Sequence, residues 1–137
     1  MKEIPDLIKS IHHICIETDK YSESIDFYCS ILGFSIMEET RNFHGRDYNT
    51  WLKKENILIE LQTPKSGAAD YSGSTVNTGI VHVCFIVDNL PETIDKLIEK
   101  GFNSFRRKGS DIIYNVKGGL LAKITAPEGT VIELRGE

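Results

Sequence analysis

Two histidines and two glutamates of this chain have the residue types and positions of metal ligands. His13 and His82 each lie near the start of a β-rich run, while Glu60 and Glu133 each interrupt an apolar run. A carboxylate buried in such a run without a partner would cost free energy. Two neutral imidazoles and two carboxylates around one divalent cation carry no net charge, which removes that cost. We therefore predict that His13, Glu60, His82 and Glu133 together hold one metal ion.

The donor types limit which metal this site would hold and what it would do. Nitrogen and oxygen donors without a thiolate suit divalent Zn, Ni, Co, Fe or Mn. Four protein ligands on an octahedral ion leave two positions for water or substrate, as catalysis requires. The sequence therefore predicts an enzyme with a divalent metal ion as its cofactor.

The four residues occupy matching places in an internal repeat. A shift of 69 positions places His13 on His82, and each glutamate lies in the last strand of its copy. The same shift aligns further identical pairs, which are Ile11 and Ile80, Cys15 and Cys84, and Asp19 and Asp88. So many matches at one offset indicate that the chain consists of two similar modules.

Each module is predicted to fold as a strand, a helix and three further strands. Hydrophobic periodicity places the helices at 22–32 and 90–100. The predicted strands cover 11–17, 34–43, 48–53 and 57–62 in the first module, and 80–87, 103–107, 120–126 and 130–134 in the second. Because strand side chains alternate between two faces, His13 and Cys15 should point into a cup and His12 away from it.

These elements predict an α+β fold of two tandem βαβββ modules whose sheets form a curved, partly closed barrel-like cup. We expect one domain over 1–137, with the first module at 10–63, a linker at 64–78 and the second module at 79–135. The linker interpretation depends on a stretch rich in Gly, Ser, Ala and Thr.

The composition argues against several classes of protein. A net charge of −4 argues against nucleic acid as a partner, and no apolar stretch approaches the length of a membrane span. The start of the chain, Met1 to Ser10, lacks a secretory pattern, and three cysteines are too few for a disulfide framework. We therefore expect a cytoplasmic protein with a small-molecule substrate, no nucleic acid partner and no membrane association.

Several motifs make the chain resemble the vicinal oxygen chelate superfamily, which includes glyoxalase I, bleomycin-resistance proteins and extradiol dioxygenases. The motifs are His-His-Ile at 12–14, Leu-Gly-Phe at 32–34, Ile-Glu-Leu at 59–61, Gly-Ile-Val-His at 79–82 and Pro-Glu-Gly-Thr-Val-Ile-Glu-Leu at 127–134. The order of the predicted ligands, His, Glu, His and Glu, is similar to that of glyoxalase I, or lactoylglutathione lyase.

That resemblance implies the glyoxalase/bleomycin-resistance/dioxygenase fold and a lyase or isomerase activity. In such an activity a proton beside a carbonyl is removed and the resulting enediolate is stabilised on the metal. By position, the resemblance implies that Glu133 is the catalytic base and Glu60 its partner. A homodimer is the default assembly, with the modules paired either within one chain or between two.

Two other functions fit the same sequence. A methylmalonyl-CoA-type epimerase would use the same proton chemistry with a similar ligand order. A non-catalytic drug-binding resistance protein would use the cup without the metal. The candidates for binding an anionic substrate tail are Arg41, Arg46, Arg106, Arg107 and Lys117.

Overall fold

The computed structural model describes residues 10–66, 80–116 and 118–136. The first module consists of β1 (Ile14–Glu17), α1 (Tyr21–Ile25) with a π-helical extension (Asp26–Ile31), β2 (Ser35–Phe43), β3 (Arg46–Lys54) and β4 (Ile57–Gln62). The second consists of β5 (Val83–Val87), α2 (Leu90–Glu99), β6 (Phe105–Arg106), β7 (Tyr114–Val116), β8 (Gly119–Thr125) and β9 (Val131–Gly136). Most of the predicted linker at 64–78 lies outside the described residues.

Each module builds its own sheet with the same pairing scheme. The first sheet has the order β1-β4-β3-β2, and the second has the order β5-β9-β8-β6 with β7 paired to β8. In both sheets the first strand of the module pairs in parallel with the last, and the other pairs are antiparallel. The α+β class and the βαβββ order are therefore as predicted. The short strand β7 is an addition that the sequence pattern did not indicate.

The first helix departs from the regular α-helical spacing predicted for 22–32. Its second half widens, and the Leu32 amide donates to the Phe27 carbonyl, five residues earlier, over 3.0 Å. This π-helical geometry turns two consecutive aromatic residues, Phe27 and Tyr28, into the core, where both are buried. Gly33, with a φ of +86°, ends the segment in a conformation that favours glycine.

The second helix follows the sequence expectation. The Asn89 side chain caps its start by accepting from the Glu92 amide over 3.0 Å. Leu90, Ile94 and Leu97 recur at helical spacing and are all buried in the core. Within the described ranges, neither helix has the length and apolar character that crossing a membrane requires.

Both sheets turn their apolar faces toward one hydrophobic core. Ile59 and Leu61 of β4 belong to this core, as do Ile132 and Leu134 of β9. Because side chains alternate along a strand, the glutamate between each of these pairs points to the opposite face of its sheet. The fold therefore places both predicted glutamate ligands on faces that do not contribute to the core.

A buried group of hydroxyls ties the two modules together through Glu128. Its carboxylate accepts from the Ser24 hydroxyl over 2.7 Å and from the Tyr28 and Thr130 hydroxyls over 2.6 Å each. The Thr18 hydroxyl continues the network, 2.8 Å from that of Ser24. Burial, with the neighbouring charge of Glu128, raises the pKa of Tyr28 well above its ordinary value. The network therefore depends on one half-buried carboxylate, that of Glu128.

We expect the Glu128→Ala substitution to lower the free energy of unfolding by about 2–4 kcal/mol, because buried hydroxyl donors lose a charged acceptor. The Glu128→Gln variant keeps the size of the side chain and one acceptor oxygen, so its loss should be smaller. Urea unfolding of both variants and the wild type measures the difference. A loss below about 0.5 kcal/mol in Glu128→Ala would show that the network does not hold the modules together.

Candidate metal centre

The first predicted pair of ligands lies where β1 and β4 run side by side. His13 directly precedes β1, and Glu60 lies in β4 opposite Cys15 in the parallel register. The His13 Nε2 atom is 3.4 Å from the Glu60 Oε1 atom. The two side chains are 33% and 17% exposed, so a ligand in solvent can reach them.

The second pair repeats this geometry in the other sheet. His82 directly precedes β5, and its Nε2 atom is 3.2 Å from Oε2 of Glu133 in β9. The other carboxylate oxygen of Glu133 lies 3.6 Å from the Cys84 Sγ atom and 3.7 Å from the Arg135 Nε atom. The Glu133 side chain is 10% exposed and is more enclosed than Glu60. The sequence repeat therefore corresponds to a structural repeat of one His–Glu pair in each sheet. We call His13 with Glu60 the first half-site and His82 with Glu133 the second half-site.

The donor atoms of each half-site fit the coordination of a divalent metal ion. With metal–ligand bonds of about 2.1 Å, neighbouring donors are about 3.0 Å apart in an octahedron and about 3.4 Å apart in a tetrahedron. The two observed N···O distances, 3.4 and 3.2 Å, fall within that range. Each half-site supplies one imidazole and one carboxylate, so two half-sites would balance a divalent ion.

In one chain the two half-sites belong to separate sheets. Among the described residues, no group of three or more His, Cys, Asp or Glu side chains is placed to hold a metal ion. A groove of about 470 Å³ between β1 and β5 is lined by His12, His13 and Cys84, and neither Glu60 nor Glu133 contributes to it. The prediction that all four ligands share one ion therefore stays a prediction.

Two rings, those of His12 and Trp51, contact His13 in the first half-site. The rings of His13 and Trp51 meet edge to face with 4.7 Å between their centroids. Trp51 lies opposite Glu60 on the neighbouring strand β3, so it forms a wall beside the pair. Alternation predicts that His12 faces away, but its Nδ1 atom lies 2.9 Å from that of His13. That prediction was wrong because β1 begins only at Ile14, so strand alternation does not yet apply.

The two cysteines beside the glutamates are held as thiols. Burial, together with the hydrogen bond to Glu60 and its charge, raises the pKa of Cys15 to about 11. Burial and the charge of Glu133 also raise the pKa of Cys84. Neither cysteine is therefore activated as a thiolate by its protein surroundings.

The cations predicted to bind a substrate tail lie in different environments. Arg41 packs over a tyrosine ring, and Arg107 donates to a nearby backbone carbonyl. Arg46 donates both to a carboxylate and to a backbone carbonyl. Lys117 lies outside the described residues. Arg106 lies in β6, and the register pairs it with β8.

Two further cations lie beside Glu133 that the sequence alone did not single out. Lys123 is the direct partner of Glu133 across β8 and β9, and Arg135 is two residues further along β9 on the same face. The sequence did contain a pattern that indicates Lys123 as a functional residue. Lys123 interrupts the apolar run of β8 in the same way as Glu133 interrupts that of β9.

Known proteins are similar to this chain in sequence along most of its length. The lactoylglutathione lyase of Escherichia coli O157:H7 is 30% identical over 132 residues, covering 89% of this chain and 88% of that protein. The mitochondrial methylmalonyl-CoA epimerase of Dictyostelium discoideum is 27% identical over 94 residues, covering 66% of this chain and 57% of that protein.

Similarity in structure agrees with the predicted fold. A glyoxalase family protein from Enterococcus faecalis superposes with a TM-score of 0.73 at 23% identity, covering 95% of this chain and 99% of that chain. At this identity the likeness shows the fold alone. The family described as the Glyoxalase/Bleomycin resistance protein/Dioxygenase superfamily matches residues 10–134. The chain therefore belongs to the glyoxalase/bleomycin resistance protein/dioxygenase superfamily.

Proposed function

We propose that the protein is a metal-dependent lyase or isomerase of the glyoxalase I type, which moves a proton beside a carbonyl from one carbon to its neighbour. The observation that carries this proposal is the pair of matching half-sites, His13 with Glu60 and His82 with Glu133. Each presents one imidazole and one carboxylate at metal-ligand spacing. Similarity to a lactoylglutathione lyase over most of both chains supports the same chemistry.

The chemistry divides between the metal and the two glutamates. A divalent ion held by the four residues would supply a Lewis acid that makes the C–H bond beside a carbonyl more acidic. Glu133 is more enclosed than Glu60, so water competes less for its oxygens. We therefore assign proton removal to Glu133 and the return of the proton to Glu60.

A second copy of the chain would complete the site. Because both sheets pack their apolar faces into one core, the half-sites occupy the remaining faces. In a dimer with two-fold symmetry, the first sheet of one copy can face the second sheet of the other copy. Each such pair of sheets brings all four ligands together, so the dimer has two sites. Ile86, which shares the face of Glu133, is exposed in the single chain and would be covered by the partner. We therefore propose a homodimer with two sites, each built from both chains.

Conversion of methylglyoxal hemithioacetals into thioesters tests the proposed reaction. Protein loaded in turn with Zn, Ni, Co, Fe or Mn is expected to catalyse this conversion and to lose it on treatment with a chelator. Metal should also raise the unfolding midpoint of the wild type by mass action, and raise it less in the His13→Ala variant. Absence of both turnover and metal-dependent stabilisation would contradict the proposal.

An epimerase that acts on an acyl-CoA thioester is the second candidate. Similarity to the Dictyostelium epimerase favours it, and its reaction also removes and returns a proton beside a carbonyl. The same metal-loaded protein separates the two reactions. Thioester formation from a hemithioacetal identifies the lyase, whereas deuterium incorporation from solvent into methylmalonyl-CoA identifies the epimerase.

A further inference from the structure

The residues that flank Glu133 across its sheet are rich in positive charge. The register places Cys84, Glu133, Lys123 and Arg106 in one row across β5, β9, β8 and β6, which we call the Glu133 row. Directly paired residues point to the same face, so Lys123 lies beside the Glu133 carboxylate and Arg106 lies one strand further on the same face. Arg135 on the same face adds a third cation, with its Nε atom 3.7 Å from Glu133.

The corresponding row of the first sheet has the opposite character. The register places Cys15, Glu60, Trp51 and Glu38 across β1, β4, β3 and β2, which we call the Glu60 row. This row carries two carboxylates and an indole ring. The two modules therefore share the His–Glu pair and differ in what surrounds it.

The cations near Glu133 exceed what the ligand set needs. Two imidazoles and two carboxylates already neutralise a divalent ion, so the three cations are not required for charge balance. Within the described residues, neither Lys123 nor Arg106 forms an ion pair. Lys123 is half-buried on the face of Glu133, whose carboxylate already contacts His82 and Arg135. The Lys123 ammonium is therefore available to an anion from outside the chain.

We infer, on the basis of the proposed function, that Lys123, Arg106 and Arg135 bind an anionic group of the substrate close to the reacting carbon. Neighbouring strands lie about 4.8 Å apart, so Lys123 is one strand away from Glu133 and Arg106 is two. The bound anion therefore lies within about 10 Å of the base rather than at the end of a long tail. A carboxylate and a phosphate both suit ammonium and guanidinium donors. The substrate class is a short carbonyl compound that carries one of these anions.

Anion binding can be measured without any turnover. Inorganic phosphate and acetate are titrated separately into the full chain by calorimetry, so that each probe reports one type of anion. One of the two probes should bind the wild type more tightly. We expect Lys123→Met and Arg106→Gln each to raise the Kd of that probe about tenfold, because each removes a charge-assisted hydrogen bond. Arg106 is exposed, so that variant should fold even if Lys123→Met does not. Equal binding by the wild type and both variants would overturn the inference.

A surface lysine provides a matched control. Lys96→Met makes the same change as Lys123→Met on α2, where the ammonium pairs with Glu92 over 3.0 Å. This variant should bind both probes as the wild type does. A loss in Lys96→Met as large as that in Lys123→Met would mean that only net charge matters, which also overturns the site.

Substrate preference gives a second readout. Methylglyoxal and an analogue that carries the tighter-binding anion on its third carbon are compared as hemithioacetals of one neutral thiol. The wild type should favour the anionic substrate in kcat/KM, and Lys123→Met should reduce that preference about tenfold, mainly through KM. A preference that the variant retains would overturn the inference. Anion binding that Lys123→Met weakens, in a protein without turnover of either substrate, would reject the proposed reaction and support the anion site.

Discussion

The kcat of the Glu133→Gln variant is expected to be lower than that of the wild type by a factor of about a hundred to ten thousand. This is the usual contribution of a positioned general base. Glutamine keeps the size of the side chain and one oxygen at the end of it, but it has no carboxylate to accept the proton. The loss should therefore appear in kcat, with a smaller change in KM. Thioester formation from a methylglyoxal hemithioacetal, followed at saturating substrate, measures it.

An exposed glutamate provides the control for this substitution. Glu92 lies on α2 and pairs with Lys96 over 3.0 Å, so Glu92→Gln makes the same chemical change on the surface and should keep wild-type turnover. The metal content of each variant must be determined, because loss of metal would imitate loss of the base. If Glu133→Gln keeps its metal and more than about a tenth of the turnover, Glu133 is not the base.

Mixing two inactive variants is expected to restore activity. His13→Ala damages the first half-site and His82→Ala damages the second, so a homodimer of either variant has no complete site. In a mixed dimer, the intact first sheet of one chain meets the intact second sheet of the other and completes one of the two sites. Random exchange of chains makes about half of the dimers mixed, which gives about a quarter of wild-type activity.

A second mixture shows whether the recovery comes from complementation. His13→Ala with Glu60→Gln places both defects in the same half-site, so no combination of these chains contains a complete site. This mixture should stay inactive under the same exchange conditions. Failure of His13→Ala and His82→Ala to recover, once mixed dimers are shown by mass spectrometry, would mean that the ligands do not come from two chains.

The half-sites were predictable from the sequence because they depend on local geometry. A residue between two buried neighbours of a strand points away from the core, so Glu60 and Glu133 had to occupy the outer faces. Parallel pairing of the first and last strands of each module then brings each histidine close to its glutamate. The direction of the His12 side chain was predicted wrongly, because the alternation of residue types along the sequence does not show that β1 begins only at Ile14.

The packing of one module against the other was not predictable in the same way. The repeat indicates that each sheet has an apolar face, but such faces can pack in more than one arrangement. The hydrogen bonds of Glu128 to Ser24 and Tyr28 join residues that are 104 and 100 positions apart in the sequence. Hydrophobic periodicity describes neighbouring residues within one element and does not predict contacts at such separations. Lys123 likewise becomes a neighbour of Glu133 only through the register of β8 and β9.

The difference between the Glu60 row and the Glu133 row has a stereochemical consequence. Two identical half-sites related by a pseudo-two-fold axis would offer the same surroundings to both faces of a planar enediol, and both hands of a substrate would react alike. With the Trp51 indole on one side and the Lys123 ammonium on the other, an anionic substrate has one favoured orientation. Glu60 would then return the proton to one face of the enediol only, and the product would form as a single enantiomer.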